Sequence, residues 1–218
     1  GLPFTRFMMS YQRLKNRKQP LPVEGRDWIM DSGAFSEIQK NGKYTFTPTQ
    51  YFATITEFKP TFFTSMDWMC EPSIRKITGK TVRDHLKLTT ENHLTLKKMA
   101  ERKNVGKSFM GVIQGYVEND YFHHIDMLKD AGLIENYMGV GTLCRRQATP
   151  EIIEILKSIK KELPQYVKLH GFGMKTGSLK NPLIHQLLYS CDSMAWSFSG
   201  RKAHKPQYLE KCLADPQM

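Results

Sequence analysis

The stretch Trp28-Ile-Met-Asp-Ser-Gly-Ala-Phe-Ser36 reads as a short apolar strand that ends on a carboxylate, Asp31, and releases it onto a glycine-containing turn. The same event recurs where Phe62-Phe-Thr-Ser-Met66 delivers Asp67 and where Phe109-Met-Gly-Val-Ile113 delivers Gln114 and Gly115. Buried strands that present polar groups at their ends are how parallel α/β folds assemble a site. Working outward, apolar runs at 6–11, 27–31, 61–67, 108–114, 137–141, 166–172 and 189–196 lie around helical periodicity at 82–102, 118–131, 150–162 and 179–189. Thr149-Pro-Glu151 is a helix start, with Thr149 as N-cap and Pro150 in the first turn. Strand and helix alternate, so the spacing predicts a parallel α/β fold, either a TIM (β/α)8 barrel short of one strand or a doubly wound sheet. The first run begins almost at the start of the chain, and the count of seven carries the expectation that an N-terminal strand is missing. The intact mass of a full-length product tests that expectation.

The 218 residues suffice for one domain with a sizeable core, and a single domain over 1–218 is expected. No run approaches the roughly 20 apolar residues of a membrane span, and Gly1-Leu-Pro-Phe4 is not a signal sequence, so a cytoplasmic protein without membrane contact is expected. Cys70, Cys144, Cys191 and Cys212 form no CxxC pair, which predicts reduced, mostly buried thiols and neither a zinc site nor a disulfide framework. The 32 basic and 21 acidic residues give a net charge of +11, which favours a polyanionic partner, nucleic acid first. Lys157, Lys160 and Lys161 read as a solvated helix face. The segment 199–205, with Ser199, Arg201 and Lys202, reads as a phosphate contact, and Arg145 lies in a further basic pair.

Three carboxylates stand out: Asp31, Asp67 and Asp192. Asp192 lies in Tyr189-Ser-Cys-Asp-Ser-Met-Ala-Trp196, where it could also begin a strand or cap a turn, and Asp31 could equally be the N-cap of a helix through Glu37. Two carboxylates on one rim suit displacement at a sugar carbon, and a separation near ~5 Å favours retention through a covalent intermediate. Gly139-Val-Gly141 and Gly171-Phe-Gly173 let backbone approach a ligand. Gly79-Lys-Thr81 looks like the end of a phosphate-binding loop, but that loop needs its first glycine where Ile74 stands, so nucleoside triphosphate binding is rejected. His85, His93, His123 and His124 lack metal-ligand spacing and read as surface or packing residues. Phe35 and His170 flank glycines at strand ends, where a ring could stack on a flat ligand or simply pack in the core.

Taken in order, Asp31-Ser-Gly-Ala-Phe35, Met66-Asp67, Gly111-Val-Ile-Gln-Gly115, Tyr137-Met-Gly-Val-Gly141, Leu169-His-Gly-Phe-Gly173 and Asp192 followed by Ser199-Gly-Arg201 resemble the motifs of the tRNA-guanine transglycosylase superfamily. The chain is most similar to its DNA-guanine transglycosylase branch, the deazapurine DNA-modification proteins of phages and bacteria. The resemblance runs from about Arg6 to Lys205. It implies a TIM barrel that replaces guanine in nucleic acid by a free 7-deazaguanine such as preQ0, through a covalent intermediate and with no cofactor or metal chemistry. By that resemblance Asp192 is the nucleophile at C1′ and Asp31 the acid/base group. Asp67 reads the base's N1 and 2-amino donors, as an acceptor-only carboxylate can. Gln114 and the backbone around Gly141 take the carbonyl side, Gly115, Gly139 and Gly171 are further base-binding positions, and Phe35 and His170 sandwich the ring. Acting on a duplex base requires extruding the nucleotide, which a basic rim and stacking rings offset.

The chain departs from that pattern in two places. It carries no CxCxxC…His zinc element, which favours DNA over tRNA. Ala34 and Phe35 stand where relatives have glycine and often tyrosine, and His170 stands where many have an apolar residue. The rival readings are the same reaction on tRNA, a base-excising glycosidase and a basic barrel that only binds nucleic acid. The need for an accessory modification protein is left open.

Overall fold

The computed structural model describes residues 6–19, 21, 26–144, 146 and 149–194. Seven strands, β1 (Arg6–Ser10), β2 (Asp27–Asp31), β3 (Phe62–Thr64), β4 (Phe109–Ile113), β5 (Tyr137–Val140), β6 (Lys168–Gly171) and β7 (Ser190–Cys191), lie side by side in chain order, and every pairing is parallel. Parallel neighbours need crossovers, and from β2 onward α-helices supply them. These are α1 (Ala34–Asn41), α2 (Pro48–Phe58), α3 (Pro72–Thr78), α4 (Val82–Arg102), α5 (Glu118–Asp130), α6 (Thr149–Glu162), α7 (Thr176–Leu179) and α8 (Pro182–Leu187). The sequential order excludes a doubly wound sheet, in which strand order reverses.

The sheet curls into a half-barrel. The ring of Phe62 on β3 passes over β4 to meet Tyr137 on β5, with centroids 5.2 Å apart. Asp192, just beyond β7, is near enough to Asp31 on β2 for its charge to act there. Alternation along each strand divides the two faces. On β2, Trp28 and Met30 are buried beneath the helices, whereas Ile29 and Asp31 on the other face remain half-buried. The outer face carries the apolar packing. One cluster joins Trp28, Met30, Phe63 and Phe109 to Tyr51, Ile55 and Leu96, and the other joins Ile113, Met138, Val140 and Leu169 to Ile125, Leu128, Leu156 and Ile159. Each such fully buried side chain is worth about 1.5–3 kcal/mol. The concave face is left partly open.

All seven expected strands form, and α4 to α6 follow the periodic segments. The helix expected over 179–189 is instead two short ones, because Asn181 caps a new start with Pro182 in its first turn. The first three helices were not evident from periodicity. Yet α2 opens on a capping box between Thr47 and Gln50 with Pro48 at its start, and α3 runs only from Pro72 to a left-handed Gly79. Gly79-Lys-Thr81 is thereby explained as a helix joint, since Gly79 closes α3 and Thr81 caps α4 with Asp84. Among the described cysteines, all free thiols, only Cys70 is fully buried; Cys144 is half-buried and Cys191 exposed, which corrects the expectation of mostly buried thiols. No helix among the described residues is long and apolar enough to cross a membrane.

Candidate active site

Parallel strands in one curled sheet bring their carboxyl ends to one rim, and the polar residues singled out in the sequence follow those ends. Asp31 closes β2, Asp67 follows β3, Gln114 follows β4, Gly141 follows β5 and Asp192 follows β7. Asp31 is not the cap of α1. That position belongs to Gly33, whose left-handed backbone turns the chain and whose N–H donates to Asp31 Oδ2 at 2.9 Å. Asp192 is not a local cap either. Its Oδ1 accepts the N–H of Gly173 at 2.9 Å, from the turn beyond β6.

Asp67 lies on a stretch, 65–71, that is fully buried and has no regular secondary structure. Buried backbone groups need partners, and α4 supplies them from one face. Asn92 Nδ2 donates to the Met66 carbonyl at 2.8 Å, Thr89 Oγ1 accepts the Trp68 N–H at 2.8 Å and His85 Nδ1 donates to the Met69 carbonyl at 2.6 Å. The carboxylate itself accepts from Ser32 Oγ at 3.4 Å on Oδ1 and from the Gln114 amide on Oδ2. Thr142 Oγ1 donates to Gln114 Oε1 at 2.8 Å. The backbone N–H of Gln114 donates to His124 Nδ1 at 2.8 Å. Burial first, then His93, pushes the His124 pKa down to about 3, so it is a neutral acceptor.

Burial is the largest cause holding the Asp31 pKa up at about 7, with the charges of Asp67 and Asp192 adding to it against the N–H groups of Gly33 and Ser32. Asp67 is raised to about 6, again mainly by burial, with the Gln114 amide opposing. Asp31 therefore holds or releases a proton near neutral pH, which suits an acid/base group.

The glycines divide by face. A Cβ on Gly141 would lie 2.1 Å from Gln114 Nε2, and one on Gly139 would lie 2.2 Å from the ring of Phe172, so both abut the concave side. Both backbone groups of Gly141 are engaged, its N–H with the Ile113 carbonyl at 2.9 Å and its carbonyl with the Tyr121 hydroxyl at 3.0 Å. Gly115 and Gly171 instead press on Tyr121 of α5 and on Leu188 and Met174. Phe35 is half-buried and packs with Ala34, Ile38, Trp68, Met69 and Ile74. His170 is 1% exposed and hydrogen-bonds Ser190 and Asp192. Arg145, Ser199, Arg201 and Lys202 lie outside the described residues.

Sequence reasoning missed Thr142, Phe172, Tyr137 and Ser190. Thr142 carried a signal only in its position after the Gly139-Val-Gly141 turn, and it sits at a positive φ of 59°, rare for a β-branched residue. Phe172, between the glycines of the second turn, fills the space over Gly139 that the sequence reserves for close approach.

No match was found among the curated proteins. The sequence profile of the DpdA family, DeoxyPurine in DNA protein A, matches residues 2–213, nearly the whole chain, in agreement with the likeness to the DNA-guanine transglycosylase branch. A parallel half-barrel with carboxylates at its strand ends, matched over almost its full length by that profile, belongs to the DpdA family.

Proposed function

We propose that this protein exchanges guanine in DNA for a free 7-deazaguanine, preQ0 or a close analogue, by double displacement at C1′. Family membership supports the coarser part, a transglycosylase-like role in DNA modification. The observation that carries the finer part is that Asp31 and Asp192, from nearly opposite ends of the sheet, stand near enough for the charge of Asp192 to help raise the Asp31 pKa.

In the first step Asp192 attacks C1′ of the extruded nucleotide. The C1′–N9 bond breaks, its electron pair leaves with guanine, and the proton held by Asp31 goes to that base. In the second step the incoming base returns a proton to Asp31 and attacks C1′, which releases the Asp192 carboxylate. Asp67 takes the N1–H and 2-amino hydrogens. Gln114 gives one amide hydrogen to Asp67 and keeps a second for the base's carbonyl oxygen. Phe35 flanks the base as a stacking ring, whereas His170, 1% exposed with both nitrogens engaged, is turned to its neighbours in the sheet. Arg145, Ser199, Arg201 and Lys202 meet phosphates, and the net charge of +11 supports a polyanionic partner. An accessory protein that opens the duplex is compatible with this scheme.

The test is incubation with guanine-containing duplex DNA and, in parallel, tRNA, each with isotopically labelled guanine, followed by nucleoside mass spectrometry. Label in DNA that disappears in the Asp192→Ala protein is expected. Label in tRNA alone moves the substrate to RNA. Label persisting without Asp192 removes it as nucleophile, and abasic DNA without label indicates a glycosidase.

A further inference from the structure

His170 is buried between its neighbours on β5 and β7, and each of its nitrogens is engaged. Nε2 lies 3.3 Å from Asp192 Oδ1, and Nδ1 lies 2.6 Å from Ser190 Oγ. The Tyr137 hydroxyl closes on the same Ser190 oxygen. The second donor to Asp192, the Gly173 N–H, reaches the same Oδ1.

With Asp192 ionised and the imidazole neutral, these contacts are satisfied by a proton order that runs toward the carboxylate. An ionised Asp192 has no proton to give, so Nε2 is the donor to Oδ1. A neutral imidazole then keeps its lone pair on Nδ1, where the Ser190 hydroxyl donates. The Ser190 oxygen is left to accept from Tyr137. In this order every member of the chain donates toward the carboxylate.

We propose that His170 is a positioning residue for the nucleophile: with the Gly173 N–H it ties Asp192 Oδ1 and leaves Oδ2 for C1′, while Ser190 and Tyr137 fix its tautomer. This rests on the transglycosylase reading above. When the aspartyl ester forms, Oδ2 bonds to C1′ and Oδ1 becomes the ester carbonyl, still held by both donors. When the incoming base displaces the ester, the C1′–Oδ2 pair returns to Oδ2, and the same two donors receive the charge that spreads to Oδ1. A fixed donor aimed at developing charge is worth far more than one that must be ordered during the reaction.

The experiment compares guanine exchange into duplex DNA by the wild-type protein, His170→Leu and His170→Gln, with the imidazole nitrogens followed by 15N NMR. His170→Leu is expected to lower kcat about a hundredfold at unchanged KM for guanine and unchanged DNA affinity. His170→Gln, whose amide nitrogen can stand near the place of Nε2, is expected to recover about tenfold of that loss. Wild-type His170 is expected to carry its proton on Nε2, and Ser190→Ala to mix the two tautomers. A raised KM with unchanged kcat in His170→Leu would make the ring a stacking surface and overturn the proposal, as would wild-type turnover in that variant or a proton on Nδ1 in the parent. If the wild-type protein transfers no guanine at all, the transglycosylase reading fails, and the NMR tautomer then decides the His170–Asp192 contact by itself.

Discussion

Thr142 donates its hydroxyl to Oε1 of Gln114 at 2.8 Å, and this contact decides which way the amide points. With the carbonyl end so occupied, the nitrogen end must face Asp67. A threonine one residue beyond a strand-end glycine thus sets the donor and acceptor pattern that Gln114 and Asp67 present at the rim, the pattern proposed above to meet a base.

Replacing Thr142 by valine keeps the shape and removes both the donor to Gln114 and the acceptor that takes the Cys70 N–H at 3.3 Å. Leaving buried groups unpaired costs about 1–3 kcal/mol. Thr142→Val is therefore expected to lose stability in that range and to raise KM for guanine, while Thr142→Ser retains both. Urea unfolding and steady-state exchange check the two parts separately.

Asp67→Asn exchanges an acceptor-only group for one that also donates. Selectivity for guanine over hypoxanthine, which lacks the 2-amino group, is expected to fall about tenfold or more, consistent with one lost charge-assisted hydrogen bond. DNA affinity is expected to stay within about twofold, because a group that pairs with one base leaves the phosphate contacts intact. Competition between the two free bases measures the first, and equal losses in both would remove Asp67 from base reading.

Asp31 imposes a pH dependence whose sign is fixed. A carboxyl held at about 7 when folded and at 3.8 when solvated binds its proton more tightly in the folded state. Above pH 3.8 the open chain releases that proton while the folded protein keeps it, so stability falls as pH rises toward about 7. Asp67, raised to about 6, acts in the same direction. Asp31→Asn is expected to flatten this slope and to gain roughly 1–3 kcal/mol at pH 8, while abolishing exchange. Denaturant titrations at pH 5 and 8 check this, and an unchanged slope would show that Asp31 is not held protonated.

Two glycines separate site from scaffold. In Gly141→Ala the new methyl meets the Gln114 amide, which must swing off Asp67, so a higher KM for guanine is expected together with a stability loss of about 1–3 kcal/mol from the buried groups left unpaired. In Gly115→Ala the methyl would sit 2.7 Å from the Tyr121 backbone nitrogen, which cannot give way. A loss of about 1–3 kcal/mol in stability is expected there. Thermal melts and KM values for the pair make the comparison.

The strands were legible because each is an uninterrupted apolar run such as Phe109–Ile113, and the strand-end acids because a charge after such a run is conspicuous. The early helices were not, because α1 starts on a glycine without a side-chain cap and α3 is only seven residues long. Within the site, Asp31, Asp67 and Gln114 could be named from pattern and likeness. The buried stretch 65–71 could not, since its stability depends on His85, Thr89 and Asn92, whose polar stripe on α4 is uninformative until the partner backbone is known. His170 shows the same limit: adjacency to glycine suggested a free ring face, whereas its neighbours across the sheet, Tyr137 and Ser190, lie 33 and 20 residues away.

The division of the outer packing into two clusters has a consequence for how damage to this protein would show itself. Strand β4 gives Phe109 to one cluster and Ile113 to the other, and Gln114 emerges at its end to grip Asp67, whose neighbour Met66 belongs to the first cluster. The hydrogen bond from the Gln114 amide to Asp67 works as a clasp across the joint. A substitution that loosens either cluster would slacken that clasp before the chain melts, so faulty choice of base, rather than loss of folded protein, would be the earliest sign of a weakened core.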